Sequence, residues 1–175
     1  LTMLDETTHK LPNGTIVISD GEQILAAGGI MGGESSAVSS TTTRIILESA
    51  NFNPSAIRKA RTKLSISTDS SKRFERGADS AVTLKALDSA FCMLKGACPK
   101  LTVEAFVDVE QKCPERLVTC RLSRANLLLG YDVSANEAEL VFSNLGLVSA
   151  FDGQDTYSVR VPSFRHDITE EVDLI

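Results

Sequence analysis

The chain has 175 residues, 42% of them hydrophobic, with a mean hydropathy of +0.01 and a formal net charge of −5. That is enough for one sizeable domain or two small ones, and no apolar run reaches the roughly 18–20 residues of a membrane helix, so no membrane partner is expected. Four cysteines (Cys92, Cys98, Cys113, Cys120) without a Cys-x-x-Cys pair, beside two histidines, argue against a zinc site or a disulfide scaffold and for reduced thiols.

The charge is unevenly spread. Residues 53–80 hold seven basic and three acidic side chains, whereas residues 101–175 hold six basic and thirteen acidic ones. A local basic surplus suits a phosphate-binding surface, although a solvated helix face has the same composition. The first residues show neither an initiator methionine nor the basic region of a secretory signal, so the sequence reads as an excised piece.

In chain order, Pro12-Asn13-Gly14 signals a turn, and residues 15–19 and 23–27 read as strands, the second running into Gly28-Gly29-Ile30-Met31-Gly32-Gly33. The β-branched run 44–48 predicts a third, buried strand that ends on Glu48. Asn53-Pro54 opens a helix, with an Asn cap, Pro at the first helical position, and Ile57, Ala60 and Leu64 on the apolar face. A hydroxyl-rich, basic turn follows at Thr68-Asp69-Ser70-Ser71-Lys72-Arg73. Residues 79–97 predict a long helix with Val82, Leu84, Leu87, Phe91 and Leu94 at helical spacing, ended by Gly96 and Pro99.

Residues 101–107 read as a strand and 110–116 as a polar linker containing Pro114, which divides the chain into 1–109 and 117–175. The second part opens with a strand at 117–121. Ser123 is expected to cap a short helix that stops at Gly130, and Ser134 with Glu137 forms a capping box for a helix over 135–145. Two strands, 147–151 and 157–161, follow around Asp152-Gly153-Gln154-Asp155. The expected class is α+β, with a mixed α/β first domain and a small winged-helix-like second domain of two short helices plus a β-hairpin.

Taken together, Ala27–Gly33, Leu47-Glu48-Ser49-Ala50-Asn51-Phe52, Ile57-Arg58-Lys59-Ala60-Arg61, Thr68–Gly77 and Val161-Pro162-Ser163-Phe164-Arg165-His166-Asp167 through Leu174 closely resemble the β subunit of bacterial phenylalanyl-tRNA synthetase. The resemblance implies the later part of a tRNA-editing domain over 1–109 and most of a winged-helix-like domain over 117–175, truncated at its C-terminal helix. It implies a cytoplasmic α2β2 ligase that uses ATP to join phenylalanine to tRNA(Phe), with the α subunit and tRNA(Phe) as partners. Its editing domain hydrolyses tyrosine wrongly attached to that tRNA. The family's editing histidine lies upstream of the sequence matching Leu1, and His9 does not sit in its context, so weak or no editing is expected of this chain alone.

The implied editing pocket comprises Gly29, Gly32, Glu48, Thr68 and Ser70. Phenylalanine and tyrosine differ by one hydroxyl, which an apolar pocket rejects only weakly. A buried acceptor such as the Glu48 carboxylate can select the phenol, because leaving it unpaired costs about 1–3 kcal/mol. Read on their own, Glu48 is equally a solvated strand end, the glycines an ordinary turn, and Thr68 a helix cap. Ser70 stands where many family members carry alanine, which implies a more polar pocket wall. Asp167 and Asp173 match two family positions assigned to magnesium at the α-subunit contact. The two glutamates completing that set would follow Ile175, and Asp167 with Glu170 also reads as a capped helix start with no ion. Arg58, Lys59 and Arg61 are candidates to face tRNA, although arginines of this stretch have Glu75 and Asp79 as alternative partners.

A different function, a stand-alone nucleic-acid-binding or subunit-docking module, would rest on the second domain. The helix over 135–145 carries Glu137 and Glu139 and no Lys or Arg, which counts against direct readout of DNA.

Overall fold

The predicted strands at the start of the chain form, but shorter than their hydrophobic patterns. In the computed structural model, which describes residues 1–109 and 115–175, β1 (Val17–Ser19), β2 (Ile24–Ala27) and β3 (Met31–Gly32) make a three-stranded antiparallel sheet in the order β1-β2-β3. Ala26 pairs with Gly32 and Ala27 with Met31, so the glycine stretch is the reversal between β2 and β3. The Ile30 amide closes this turn on the Ala27 carbonyl at 3.0 Å. Gly29 takes φ +66°, and a Cβ there would lie 2.9 Å from a Phe52 ring carbon and 3.0 Å from Ile57 Cδ1. Only glycine meets both demands.

Helix α1 (Pro54–Leu64) starts as expected, with the Asn53 side chain accepting from the Ala56 amide, and it buries Ile57, Ala60 and Leu64. These residues join Met3, Ala27, Ile30 and Ile66 in one core, with Phe52 and Phe74 packed against it. The two rings meet edge to face, 5.0 Å between centroids. Helix α2 (Asp69–Phe74) is capped by Thr68, whose hydroxyl accepts from the Ser71 amide. Helix α3 (Thr83–Ala97) follows a 3-10 turn at Ser80–Val82 and runs through Gly96. Its expected apolar stripe is only half covered: Leu87, Phe91 and Leu94 are partly buried and no residue of α3 is fully so.

Two predicted strands are absent. Residues 44–48 and 101–107 lie outside regular structure, with Ile46 97% exposed and Val107 81% exposed. A strand is completed by a neighbour's amides and carbonyls, and neither segment finds such a ladder among the described residues. Arg44 and Glu104 nevertheless form an ion pair that ties the two segments together. The residues over which the polar linker was read, including Pro114 and Cys113, lie outside the described residues except for Glu115 and Arg116.

The chain divides into two compact units, Leu1–Glu104 and Ala105–Ile175. The second contains β4 (Arg116–Arg121), α4 (Leu122–Leu129), α5 (Ala135–Asn144), β5 (Val148–Phe151), β6 (Thr156–Val161) and a short α6 (Glu171–Leu174). Its sheet is antiparallel in the order β4-β6-β5. With the first sheet and helices this makes the chain α+β, as expected. Val118, Cys120, Phe142, Leu147, Tyr157, Val159, Val161 and Ile168 form its core. Tyr157 lies at the centre, stacked on Phe151 at 4.6 Å and edge to face with Phe142 at 5.4 Å, while its hydroxyl donates to the Ala135 carbonyl at 2.6 Å.

The Ser134–Glu137 capping box on α5 forms as predicted. Helix α4, however, starts at Leu122, and Ser123 lies inside its first turn, where its amide and hydroxyl both donate to Asp155 at 2.7 Å. Asp155 thus supplies from a loop the acceptor that a capping serine would have supplied locally. Glu171 of α6 makes a further tie: its carboxylate accepts from the Arg121 amide at 2.9 Å and from the Arg121 guanidinium at 2.9 and 2.6 Å, with Arg124 at 3.3 Å.

Two predictions follow from this packing. Gly29→Ala should destabilise the chain by about 1–3 kcal/mol, from left-handed backbone strain plus the contact with Phe52. Gly14→Ala, at φ +84° with nothing within 4 Å of its Cβ, should cost only the strain. Urea unfolding of the two variants reads the difference. Secondly, the Arg121 contacts hold the Glu171 carboxyl down at about 2, against an ordinary value of 4.5. A depressed carboxyl stabilises the fold above its unfolded value and loses that contribution as pH falls through its folded one. The thermal midpoint should therefore fall between about pH 4.5 and 2, and Glu171→Gln should flatten part of that slope.

Candidate functional site

The glycine turn and helix α2 are joined by side chains distant in sequence. Thr68 Oγ1 donates to the Ile30 carbonyl at 2.7 Å, and Ser70 Oγ donates to the Gly29 carbonyl at 3.1 Å. The Thr68 hydroxyl is also the cap acceptor for Ser71, so it caps the helix and holds the turn at once. Ser71 is fully buried and completes the box by accepting from the Thr68 amide at 2.9 Å. Both hydroxyls point at main-chain carbonyls on consecutive residues, and that fixes the turn in one orientation. Phe52 and Phe74 flank it. They were not singled out in the sequence, although they are the first two aromatic residues of the chain and both sit inside its motifs.

Three of the five candidate pocket residues, Gly29, Thr68 and Ser70, are thus brought together. Gly32 belongs to β3, where its carbonyl accepts from the Leu4 amide at 3.0 Å and an added Cβ would meet Leu4 at 3.1 Å. Glu48 is exposed on the irregular segment after Arg44, and no described hydrogen bond or ion pair joins it to the other four. His9 is half-buried, with Nε2 2.8 Å from the Thr7 hydroxyl.

The basic candidates divide. Arg61 Nε lies 2.5 Å from Glu75 in a largely buried ion pair, and Arg58 donates to the Glu75 carbonyl at 3.2 Å, so both brace α1 against α2. The Arg61 hydrogen bond holds the Glu75 carboxyl below its usual value. Lys59 is exposed and borders a cavity of about 510 Å³ with Lys63 and the Pro12-Asn13-Gly14 turn. The partner of this basic stretch within the domain is therefore Glu75, reached from Arg61.

The acidic candidates are each engaged locally. Asp167 is clasped by Arg165 at 2.9 and 2.7 Å, which holds its carboxyl at about 2. Asp173 Oδ2 accepts from the Thr169 and Glu170 amides at 2.8 and 2.9 Å. The helix start is thus capped through Glu170 and Asp173, one turn later than the expected Asp167–Glu170 pair, because α6 begins only at Glu171. Among the described residues no group of three His, Cys, Asp or Glu is placed to hold a metal ion. The two aspartates, committed to a guanidinium and to main-chain amides, do not by themselves fit a magnesium ion's need for pooled oxygens. Among the same residues no helix is long and apolar enough to cross a membrane. Cys92, Cys98 and Cys120 are free thiols, and burial pushes the Cys120 thiol up.

Comparison with known proteins places these features in a family. Residues 1–99 match the B3/4 domain, and residues 118–175 match the tRNA synthetase B5 domain. The chain is 41% identical over 173 residues to the phenylalanine–tRNA ligase beta subunit of Protochlamydia amoebophila, which covers 98% of the chain and 22% of that protein. It is 41% identical to the Geobacter sulfurreducens protein of the same name and 35% identical to that of Chlamydia trachomatis serovar D, again over 22% of each. The chain thus spans about a fifth of the length of the curated relatives it matches. It belongs to the B3/4 domain family, continues into a tRNA synthetase B5 domain, and is similar along essentially its whole length to a part of phenylalanine–tRNA ligase beta subunits.

Proposed function

We propose that this chain works as part of the beta subunit of a phenylalanine–tRNA ligase, and that its first unit supplies part of the pocket that recognises tyrosine mistakenly joined to tRNA(Phe). The observation that carries the reading is the pair of hydroxyl-to-carbonyl bonds from Thr68 and Ser70 to Ile30 and Gly29. These fix a turn lacking side chains at Gly28 and Gly29 beside Phe52 and Phe74, where an aromatic ring of a ligand can approach main chain closely.

Discrimination falls to Glu48. A carboxylate in water distinguishes nothing, because water replaces the phenol without cost. Shielded in the assembled subunit, the same carboxylate is left unpaired by phenylalanine and paired by tyrosine, which is worth about 5- to 150-fold. Thr68 and Ser70 are positioning residues in this scheme: they hold the turn against which the ring packs. The reading carries with it an α subunit, tRNA(Phe), ATP consumed by the assembled ligase, and a cytoplasmic setting. It includes no magnesium step, since Asp167 and Asp173 are otherwise committed.

The second unit has the order strand, two helices, hairpin, which supports a winged-helix-like reading. Helix α5 offers Glu137 and Glu139 outward and no cation, so the unit suits docking against protein better than reading bases.

Hydrolysis of preformed tyrosyl-tRNA(Phe) by the assembled enzyme tests the proposal. Glu48→Ala should slow it by about 5- to 150-fold while leaving phenylalanine transfer intact. Thr68→Val should slow it about tenfold, with Thr68→Ser close to the parent, since serine keeps both the cap and the bond to Ile30. Parental hydrolysis rates in both Glu48→Ala and Thr68→Val would contradict the reading.

A further inference from the structure

The second unit is acidic overall, yet three of its arginines converge. Arg116, Arg160 and Arg165, with His166, line one cavity of about 350 Å³ at the end of the β4-β6-β5 sheet. That volume lies in the range of small-molecule sites, roughly 300–1,000 Å³. Arg116 and Val161 are opposite one another across β4 and β6, and Val148 faces Arg160 across β5 and β6, so the register of the sheet assembles the cluster.

The three cations are not equally committed. Arg165 is neutralised by Asp167 through a two-pronged contact. Arg160 lies 3.7 Å from Glu115, and both side chains are more than half exposed, so the pair is weak and easily displaced. Arg116 donates Nη1 to the Ile168 carbonyl at 2.9 Å and forms no ion pair among the described residues. That bond fixes the guanidinium plane and leaves its other donors available. The cavity therefore presents one held, uncompensated guanidinium beside a second that is loosely paired. Two such forks match a phosphate group, which accepts bidentate bonds from each. Val148, Val161 and Pro162 supply an apolar wall alongside.

We propose that this cavity binds a phosphate monoester carrying a flat, weakly polar body, a nucleoside monophosphate being the type. The phosphate lies between Arg116 and Arg160, displacing Glu115, and the ring lies against Val148 and Pro162. A long polyanion is disfavoured, because the surrounding surplus of carboxylates repels every phosphate that falls outside the cavity. The site is separate from the tyrosine-reading pocket and does not depend on it.

Amide chemical shifts of the isotope-labelled 175-residue chain, titrated at low salt, provide the test. Adenosine monophosphate should shift the Gly146, Ser163 and His166 amides saturably, adenosine should not, and inorganic phosphate should shift them more weakly. Arg116→Gln and Arg160→Gln should each weaken binding about tenfold, with Arg116→Lys intermediate because it keeps the charge without the fork. An unchanged amide spectrum away from the cavity shows that each variant is folded; Arg160→Gln, which removes only an exposed pair, serves if Arg116→Gln is not. Equal binding of adenosine, unweakened binding by folded variants, tighter binding of a twelve-nucleotide RNA than of the monophosphate, or no saturable shift would overturn the proposal.

Discussion

Two short hydrogen bonds, Thr68 to the Ile30 carbonyl and Ser70 to the Gly29 carbonyl, are the constraint on which the first unit depends. A glycine turn has little reason to hold one shape, because the freedom that admits φ +66° at Gly29 admits much else. The hydroxyls remove that freedom by presenting donors to two successive carbonyls. Thr68 can do so only while α2 keeps its first turn, since the same hydroxyl caps that helix. Helix α2 is in turn braced on α1 by Arg61 and Glu75, and α1 buries Ile57 directly beneath Gly29. Turn, cap, ion pair and core thus hold one another in place.

The second unit is organised differently. Its centre is the ring of Tyr157 between Phe142 and Phe151, and its ends are tied by carboxylates that reach main-chain amides: Asp155 at the start of α4, and Glu171 at Arg121. Each tie joins residues far apart in sequence. One consequence is that the acidic side chains near the end of the chain have structural employment, so their number overstates their availability to a metal. The same arrangement occupies Arg121 and Arg124 with Glu171 and leaves Arg116 as the cation without a carboxylate, which is why positive charge concentrates at one end of an otherwise acidic domain.

Features written in neighbouring residues were legible from the sequence. Asn53 with Pro54, and Ser134 with Glu137, each encode a helix start within four residues, and both starts stand where expected. The pairing of β4 with β6, by contrast, joins residues some forty apart, and only the strands themselves could be read. The run 44–48 shows the limit most clearly. Its composition asks for a buried strand, but burial and pairing are properties of a neighbour, and the described residues provide none. Ser123 and Asp167 misled for a related reason: a capping residue type is a local signal, while Asp155 and Asp173 won those roles by position in space. In the candidate site the motifs containing Gly29, Thr68 and Ser70 were visible, but the bonds that unite them were not. The cavity around Arg116 left no signal, because strand register alone brings its arginines together.

The most direct measurement is the position of bound tyrosine in a crystal of the assembled subunit. The account places its ring against the main chain of Gly28 and Gly29, between Phe52 and Phe74, with its hydroxyl bonded to Glu48. A tyrosine bound elsewhere, or bound there with Glu48 turned to solvent and phenylalanine held equally well, would contradict it.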